Sequence, residues 1–226
     1  MQFSETTLTV LKNFASLNPQ VYFKKGNVIR TVNEAKTIMA EATIDESLPV
    51  DFALYDLTNF LAVLSLDDQS TITIDPNEVQ IVSQDQKTTM IYRCCEIGLI
   101  KNPFEKNLSL PTVDCTVNLS EKDILWALKA GSVLQSPQIA VVSDGANLTL
   151  EVLDANNNLA SHAVRQLGTT TSAAFKALFK IEYWKMIPGD YVLTVSLKGV
   201  GNFQHATKKL QYWMSLESGS KRAKTV

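Results

Sequence analysis

The chain has 226 residues, 45% of them hydrophobic and 19% charged, with a formal charge of −2. That length suits two domains, and the apolar fraction excludes disorder as the default. The slight acidic excess excludes a uniformly basic coat for nucleic acid but permits a local basic surface.

From the N-terminus, Met1-Gln2-Phe3-Ser4-Glu5 has neither the basic nor the apolar region of a signal peptide. Ser4 to Leu17 is expected to be an amphipathic helix, with Ser4 as N-cap, Leu8, Leu11, Phe14 and Ala15 on its apolar side and Pro19 just beyond. Strands are expected at Val21–Phe23, Val28–Thr31, Thr37–Ile44 and Val50–Leu54, the first two divided by a Lys25-Gly26-Asn27 turn. Asp56 to Leu66 follows as a second helix with Leu57, Phe60, Leu61 and Leu64 inward, then strands at Thr71–Ile74, Val79–Ser83 and Thr88–Cys94. Apolar runs such as Phe60–Leu66 fall far short of the roughly 20 residues that span a bilayer.

The second half repeats the order. Ser120–Leu134 is expected to be helical, Ile139–Val142, Asn147–Leu153, Leu159–Leu167 and Phe175–Lys180 to be strands, and Ile181–Met186 to form a short helix stopped by Pro188-Gly189. Tyr191–Leu197 and Leu210–Leu216 close this half, and Gly199-Val200-Gly201 is expected in a turn. Ser4-Glu5 recurs as Ser120-Glu121, Pro19-Gln20-Val21 as Pro137-Gln138-Ile139, and Ala53-Leu54-Tyr55-Asp56-Leu57 as Ala177-Leu178-Phe179-Lys180-Ile181. Ordered matches of this kind indicate a duplicated α+β domain, each copy carrying two helices on an antiparallel sheet. The expected boundaries are residues 1–100, a linker at 101–117, a second domain at 118–218 and a flexible tail at 219–226.

Enzyme chemistry is hard to find. His162 and His205 lack a nearby ligand pattern, adjacent Cys94-Cys95 would point to opposite faces of a strand, and no phosphate-binding glycine loop or G-x-S-x-G occurs. The expectation is a binding or structural protein without metal or cofactor. Three cysteines form no disulfide framework, which fits a reducing cytoplasm. Basic residues concentrate on helices: Lys122, Trp126 and Lys129 share one side of the third, opposite Ile124, Leu125 and Leu128, while Lys12 edges the first. From the residues alone these lysines could simply be solvated.

The stretches Leu11-Lys12-Asn13-Phe14-Ala15-Ser16-Leu17-Asn18 and Phe52-Ala53-Leu54-Tyr55-Asp56-Leu57-Thr58-Asn59-Phe60-Leu61-Ala62-Val63-Leu64-Ser65-Leu66 resemble the sliding clamps of T-even-type bacteriophages, which are DNA polymerase processivity factors. Lys185-Met186-Ile187-Pro188-Gly189-Asp190-Tyr191 resembles the matching segment of the second clamp domain. The resemblance implies a closed ring of three chains, with helices lining a hole and sheets forming the wall. It implies Lys12, Lys122 and Lys129 facing sequence-independent double-stranded DNA, with Lys176, Lys180 and Lys185 as further candidates. It places the subunit interface at Thr88–Ile97 (Met90, Ile91, Arg93) and His162–Leu167 (His162, Arg165), and a partner-peptide pocket at Leu108, Leu110, Pro111, Val113, Tyr212 and Trp213. DNA polymerase, clamp loader, a homotrimer, late-transcription factors and the cytoplasm of an infected bacterium complete what it implies. Lys221, Arg222 and Lys224 depart from the family's acidic terminus. The rival reading is a clamp-like peptide-binding adaptor that never encircles DNA; a cofactor-free enzyme is more remote.

Overall fold

The computed structural model describes residues 1–67, 69–100 and 109–222. The chain divides into two compact units, Met1–Asn107 and Leu108–Val226. In the first, α1 (Glu5–Leu17) begins where the Ser4 hydroxyl accepts the Thr7 N–H at 3.2 Å, removing one orphan donor of the first turn. The helix buries Thr7, Val10, Leu11 and Phe14. Leu8 and Ala15, expected inward, are only half-buried, so the inner face is rotated slightly from the expected one.

Strands β1 (Val21–Phe23), β2 (Gly26–Val32), β3 (Ile38–Leu48) and β4 (Phe52–Leu54) follow, with β1 antiparallel to β4 and β2 antiparallel to β3. Residues of β3 alternate buried and less buried from Ile38 to Ile44, the period-2 pattern of a strand with one face covered, here by α1. Helix α2 (Leu57–Leu64) is capped by Asp56 and buries Leu57, Phe60, Leu61 and Leu64. Burying each such side chain contributes about 1.5–3 kcal/mol. Strands β5 (Thr71–Ile74), β6 (Glu78–Val82) and β7 (Thr89–Arg93) form a three-stranded antiparallel sheet in that order.

The second unit contains β8 (Cys115–Leu119), α3 (Glu121–Leu134), β9 (Gln138–Ser143), β10 (Asn147–Leu153), β11 (Ala163–Thr169), β12 (Phe175–Lys180), β13 (Tyr191–Ser196), β14 (Val200–His205), β15 (Leu210–Ser215) and β16 (Lys221–Arg222). One sheet runs β11-β10-β9-β12-β16, and β8, β13, β14 and β15 pair in sequence as antiparallel neighbours. Its core is an aromatic cluster in which Trp184 meets Phe179 and Phe203 edge-on, at 6.0 and 5.3 Å between ring centroids. The element order of α1 through β7 is repeated by α3 and β9 through β15. Strand β8 flanks β13 much as Met1 flanks β5, where Met1 and Ile72 exchange backbone hydrogen bonds at 2.7 Å.

Several expectations change. The expected fourth helix is one 3₁₀ turn at Ile181–Tyr183, because the chain must reach Pro188 within a few residues and Trp184 turns into the core. The chain therefore has three α-helices among the described residues, two in the first unit and one in the second. Residues 115–117, expected in the linker, are the first part of β8, and Lys221–Arg222 of the expected flexible tail pair with β12. Gly199 alone keeps the turn conformation; Val200 and Gly201 belong to β14, where Gly201 lets the Phe179 ring pack against the backbone.

Candidate functional site

Helix α3 opens with a capping box: the Ser120 hydroxyl accepts the Asp123 N–H, and the Asp123 carboxylate accepts the Ser120 N–H at 3.0 Å. That box fixes the helix phase. Ile124, Ala127 and Gly131 point inward, and Lys122 and Lys129 lie exposed on the opposite side. Leu125, expected inward, is 53% exposed and stands between them, while Trp126 is half-buried. Ile181 packs against Gly131 so closely that an added Cβ would lie 2.0 Å from its Cδ1, which fixes the inward side, and helix phase then puts Leu125 with the lysines on the outer one. On α1, Lys12 is exposed beside Glu5, Thr9 and Ser16, and with Leu8, Leu61, Leu64 and Asp67 it lines a small cavity of about 50 Å³. Its aliphatic stem covers apolar surface while its charge stays in water. No basic residue lies on α2.

The structure does not bring the other expected lysines to this helix face. Val152 packs toward Gly131 of α3, so its chain neighbour Glu151 points to the opposite face of the sheet. Lys176 is ion-paired with that Glu151 at 3.2 Å and so belongs to the face away from α3. Lys180, four residues along β12, shares that face, 3.8 Å from Glu182 and 5.8 Å from the Tyr183 ring. Lys185 is exposed in the segment after the 3₁₀ turn.

Both strands of the expected interface are sheet edges. Among the described residues, β7 pairs only with β6 and β11 only with β10. On β7, Met90 and Tyr92 turn toward the helix side, where the Tyr92 hydroxyl donates to the Asp56 carbonyl at 2.8 Å and its ring meets Phe60 at 5.2 Å. Ile91, on the other face, is 52% exposed, and Arg93 is paired with Glu78. On β11, Val164 is 48% exposed. Arg165 turns the other way, donating to Asp123 at 2.6 Å and covering the Trp126 ring at 5.6 Å. It is held by its own unit, a long-range partnership that local sequence pattern does not reveal. His162 is exposed at the start of β11 and lines a cleft of about 470 Å³ with Glu151, Leu153, Lys176, Leu178 and Lys221.

Of the expected peptide pocket, Leu108 lies outside the described residues. Leu110 is half-buried, Pro111 is exposed and Val113 is 67% exposed. Tyr212 and Trp213 are not surface features. Tyr212 is fully buried, its hydroxyl accepting the Ile187 N–H at 3.2 Å, and Trp213 is 6% exposed. Both belong to the core. Asp114, missed by sequence reasoning, is a fixed charge just before β8: its carboxylate accepts the Leu197 N–H at 2.7 Å and the Thr112 hydroxyl at 3.1 Å, and pairs with Arg222. Burial opposes its charge, but the Leu197 N–H, the Arg222 guanidinium and the Thr112 hydroxyl together hold its carboxyl below the usual carboxylate range.

Catalytic geometry is absent from the groups that sequence singled out. Burial pushes the Cys94 thiol up to about 11, with the Cys95 thiol and Glu78 carboxylate acting in the same direction, so Cys94 is a poor nucleophile. His205 sits beside Pro188, with Nδ1 accepting the Thr207 N–H at 3.2 Å, an arrangement that shapes a turn. Among the described residues, no three His, Cys, Asp or Glu side chains are grouped to hold a metal ion, and no helix is long and apolar enough to cross a membrane.

Comparison with known proteins gives a consistent result. Residues 4–95 match the family model of the DNA polymerase processivity factor. The chain is 27% identical over 224 residues to a sliding clamp of Vibrio phage KVP40, covering 96% of this chain and 100% of that protein. It is 25% identical over 228 residues to a sliding clamp of Enterobacteria phage T4, covering 97% of this chain and 98% of the relative. Among solved structures, PCNA of A. fulgidus with the C-terminal region of FEN-1 bound superposes with a TM-score of 0.68 at 12% identity, covering 97% of this chain and 98% of the other. The last likeness concerns fold: both chains share the two-domain clamp architecture.

Proposed function

We infer, from the chain's membership of the sliding-clamp family of T-even-type bacteriophages, the DNA polymerase processivity factors, that three copies close into a ring around duplex DNA. The ring tethers the replicative polymerase to its template in the infected bacterial cytoplasm, by topology rather than by catalysis. A clamp loader and late-transcription factors complete the partner set of this reading.

The observation that carries ring closure is the pair of free edges. Among the described residues, strands β7 and β11 each leave one row of backbone groups without a strand partner, and each turns an apolar side chain, Ile91 or Val164, outward beside it. Pairing β7 of one copy with β11 of the next would satisfy both rows at once. Met90, Arg93, His162 and Arg165 would then flank the contact, Arg165 through its hold on α3.

Lys12, Lys122 and Lys129 are the cations we assign to DNA, with Lys185 as an outlying member. Diffuse phosphate attraction from such lysines suits sliding, since it retains the duplex without fixing a register. We assign Leu110, Pro111 and Val113 to the partner-peptide surface, and leave Tyr212 and Trp213 to the core. Leu110→Glu is expected to weaken binding of a polymerase peptide, and unchanged affinity would remove that assignment.

Native mass measurement followed by retention on circular and linear DNA tests the whole reading. A trimer that stays on circles and runs off linear ends is expected. A monomer at micromolar concentration, or equal retention on both forms, would favour the adaptor.

A further inference from the structure

The C-terminal segment does something the clamp reading does not require. Strand β16 lies antiparallel on β12, with Phe175 opposite Arg222 and Lys176 opposite Lys221. Upstream, the Glu217 N–H donates to the Leu178 carbonyl at 2.8 Å, while the Leu178 N–H donates to the Ser220 hydroxyl at 2.9 Å. A hydroxyl thus stands where a strand would place a carbonyl, so the pairing is broken after two residues. Gly219 crosses directly over Leu178: an added Cβ would lie 2.7 Å from its Cδ1. That crossing keeps Leu178 only 2% exposed, although it points to the same sheet face as Lys176.

The far end of the segment is fastened by charge. The Arg222 guanidinium pairs with Asp114, whose side chain is 5% exposed against 67% for Arg222. The buried half of this latch is fixed by Leu197 and Thr112, and the movable half is in water. A two-residue strand with exposed side chains is a weak closure of a sheet edge. Beside it lies the cleft of about 470 Å³, whose lining includes Leu153, Leu178, Lys176, Gly219 and Lys221, with room for side chains beyond those of the segment itself.

We propose that residues 217–222 are a displaceable strap, occupying in cis a strand-docking edge on β12 that an extended peptide of a partner protein can take in its place. The partner adds a strand to β12, covers Leu178, and presents an Arg or Lys in the register of Arg222 to Asp114. This inference does not depend on ring closure and can be tested on monomers.

The probe is a labelled synthetic peptide with the sequence of Leu216–Arg222, offered in trans to the full-length chain at low salt and followed by fluorescence anisotropy. The Arg222→Ala chain, its strap unlatched and Asp114 intact, is expected to bind the peptide about tenfold more tightly than the unaltered chain. A peptide carrying R222E is expected to lose that gain on the same protein, which separates recognition from misfolding. Equal binding by the unaltered and R222A chains, or equal binding of the two peptides, would overturn the proposal.

Discussion

Helices α1 and α3 open the two copies of one domain, and they solve the same end-of-helix problem with different residues. Both use a serine N-cap. In α3 the companion carboxylate is local: Asp123 accepts the Ser120 N–H and also holds Arg165 of β11. In α1 the corresponding position is Thr7, and the carboxylate comes from Glu46 of β3, which accepts both the Ser4 N–H and the Thr7 hydroxyl. The backbone needs a negative group at that place. Duplication has kept the need and moved its source, so in one copy the strand supplies the anion and in the other the strand supplies the cation.

The copies differ more in how the helix is covered. Helix α1 packs against α2 as well as its sheet, whereas α3 packs on β9 and β10 and, in place of a second helix, meets Ile181 of the 3₁₀ turn, which Gly131 admits. Gly131→Val should therefore be the most damaging substitution on either helix, destabilising the second unit by about 2–3 kcal/mol through overpacking, read from urea midpoints. A loss under about 0.5 kcal/mol would mean that the turn moves freely and the close approach is incidental.

Next in size are the caps. Asp123→Ala should cost about 2 kcal/mol because it removes the box and leaves Arg165 without its carboxylate, and Glu46→Ala about 1–2 kcal/mol. Finding the two reversed would show that the borrowed carboxylate is the stronger arrangement. A pH series distinguishes them further. Burial disfavours the Asp123 carboxylate, but the Ser120 hydroxyl and the Arg165 guanidinium outweigh it, holding the folded carboxyl below its ordinary value. A depressed folded value contributes stability that is present above the unfolded value of about 3.9 and is lost as pH falls through the folded one. The Asp123→Asn chain should therefore show a flatter stability profile below about pH 4 than the unaltered chain.

The smallest effects belong to the exposed lysines. Replacing Lys12, Lys122 and Lys129 with alanine should leave folding and assembly unchanged while making DNA retention less sensitive to salt, by a slope of up to about 3 if every one meets a phosphate. Because two of the three sit on α3, K122A with K129A should account for most of the change. An unchanged slope would mean these side chains do not meet the duplex.

Much of the fold was legible because its signals are local. Ser4 caps the helix it was expected to cap, and Leu57, Phe60, Leu61 and Leu64 form the buried side of α2, since helical spacing alone specifies a face. Strand β8 escaped notice although Cys115, Val117 and Leu119 alternate with exposed residues, because prolines just upstream made the stretch look like linker. Strand β14 was hidden by Gly201, whose presence reflects the Phe179 ring packed against it rather than a turn. The site was less readable for a different reason. Arg165 with Asp123, and Asp114 with Arg222, are partners 42 and 108 residues apart, and no spacing rule reaches that far. Lys176 and Lys180 look like helix-flanking cations in sequence, but strand alternation sends them to the other face.

The two free edges have one more consequence. Strands β7 and β11 are unlike surfaces, so any contact between them is head-to-tail and carries a direction. Copies joined in this way all point the same way round, and a ring built from them has a front and a back that cannot be exchanged by turning it over. A machine moving along DNA through such a ring would meet every copy from the same side, and could tell forward from reverse by touch alone.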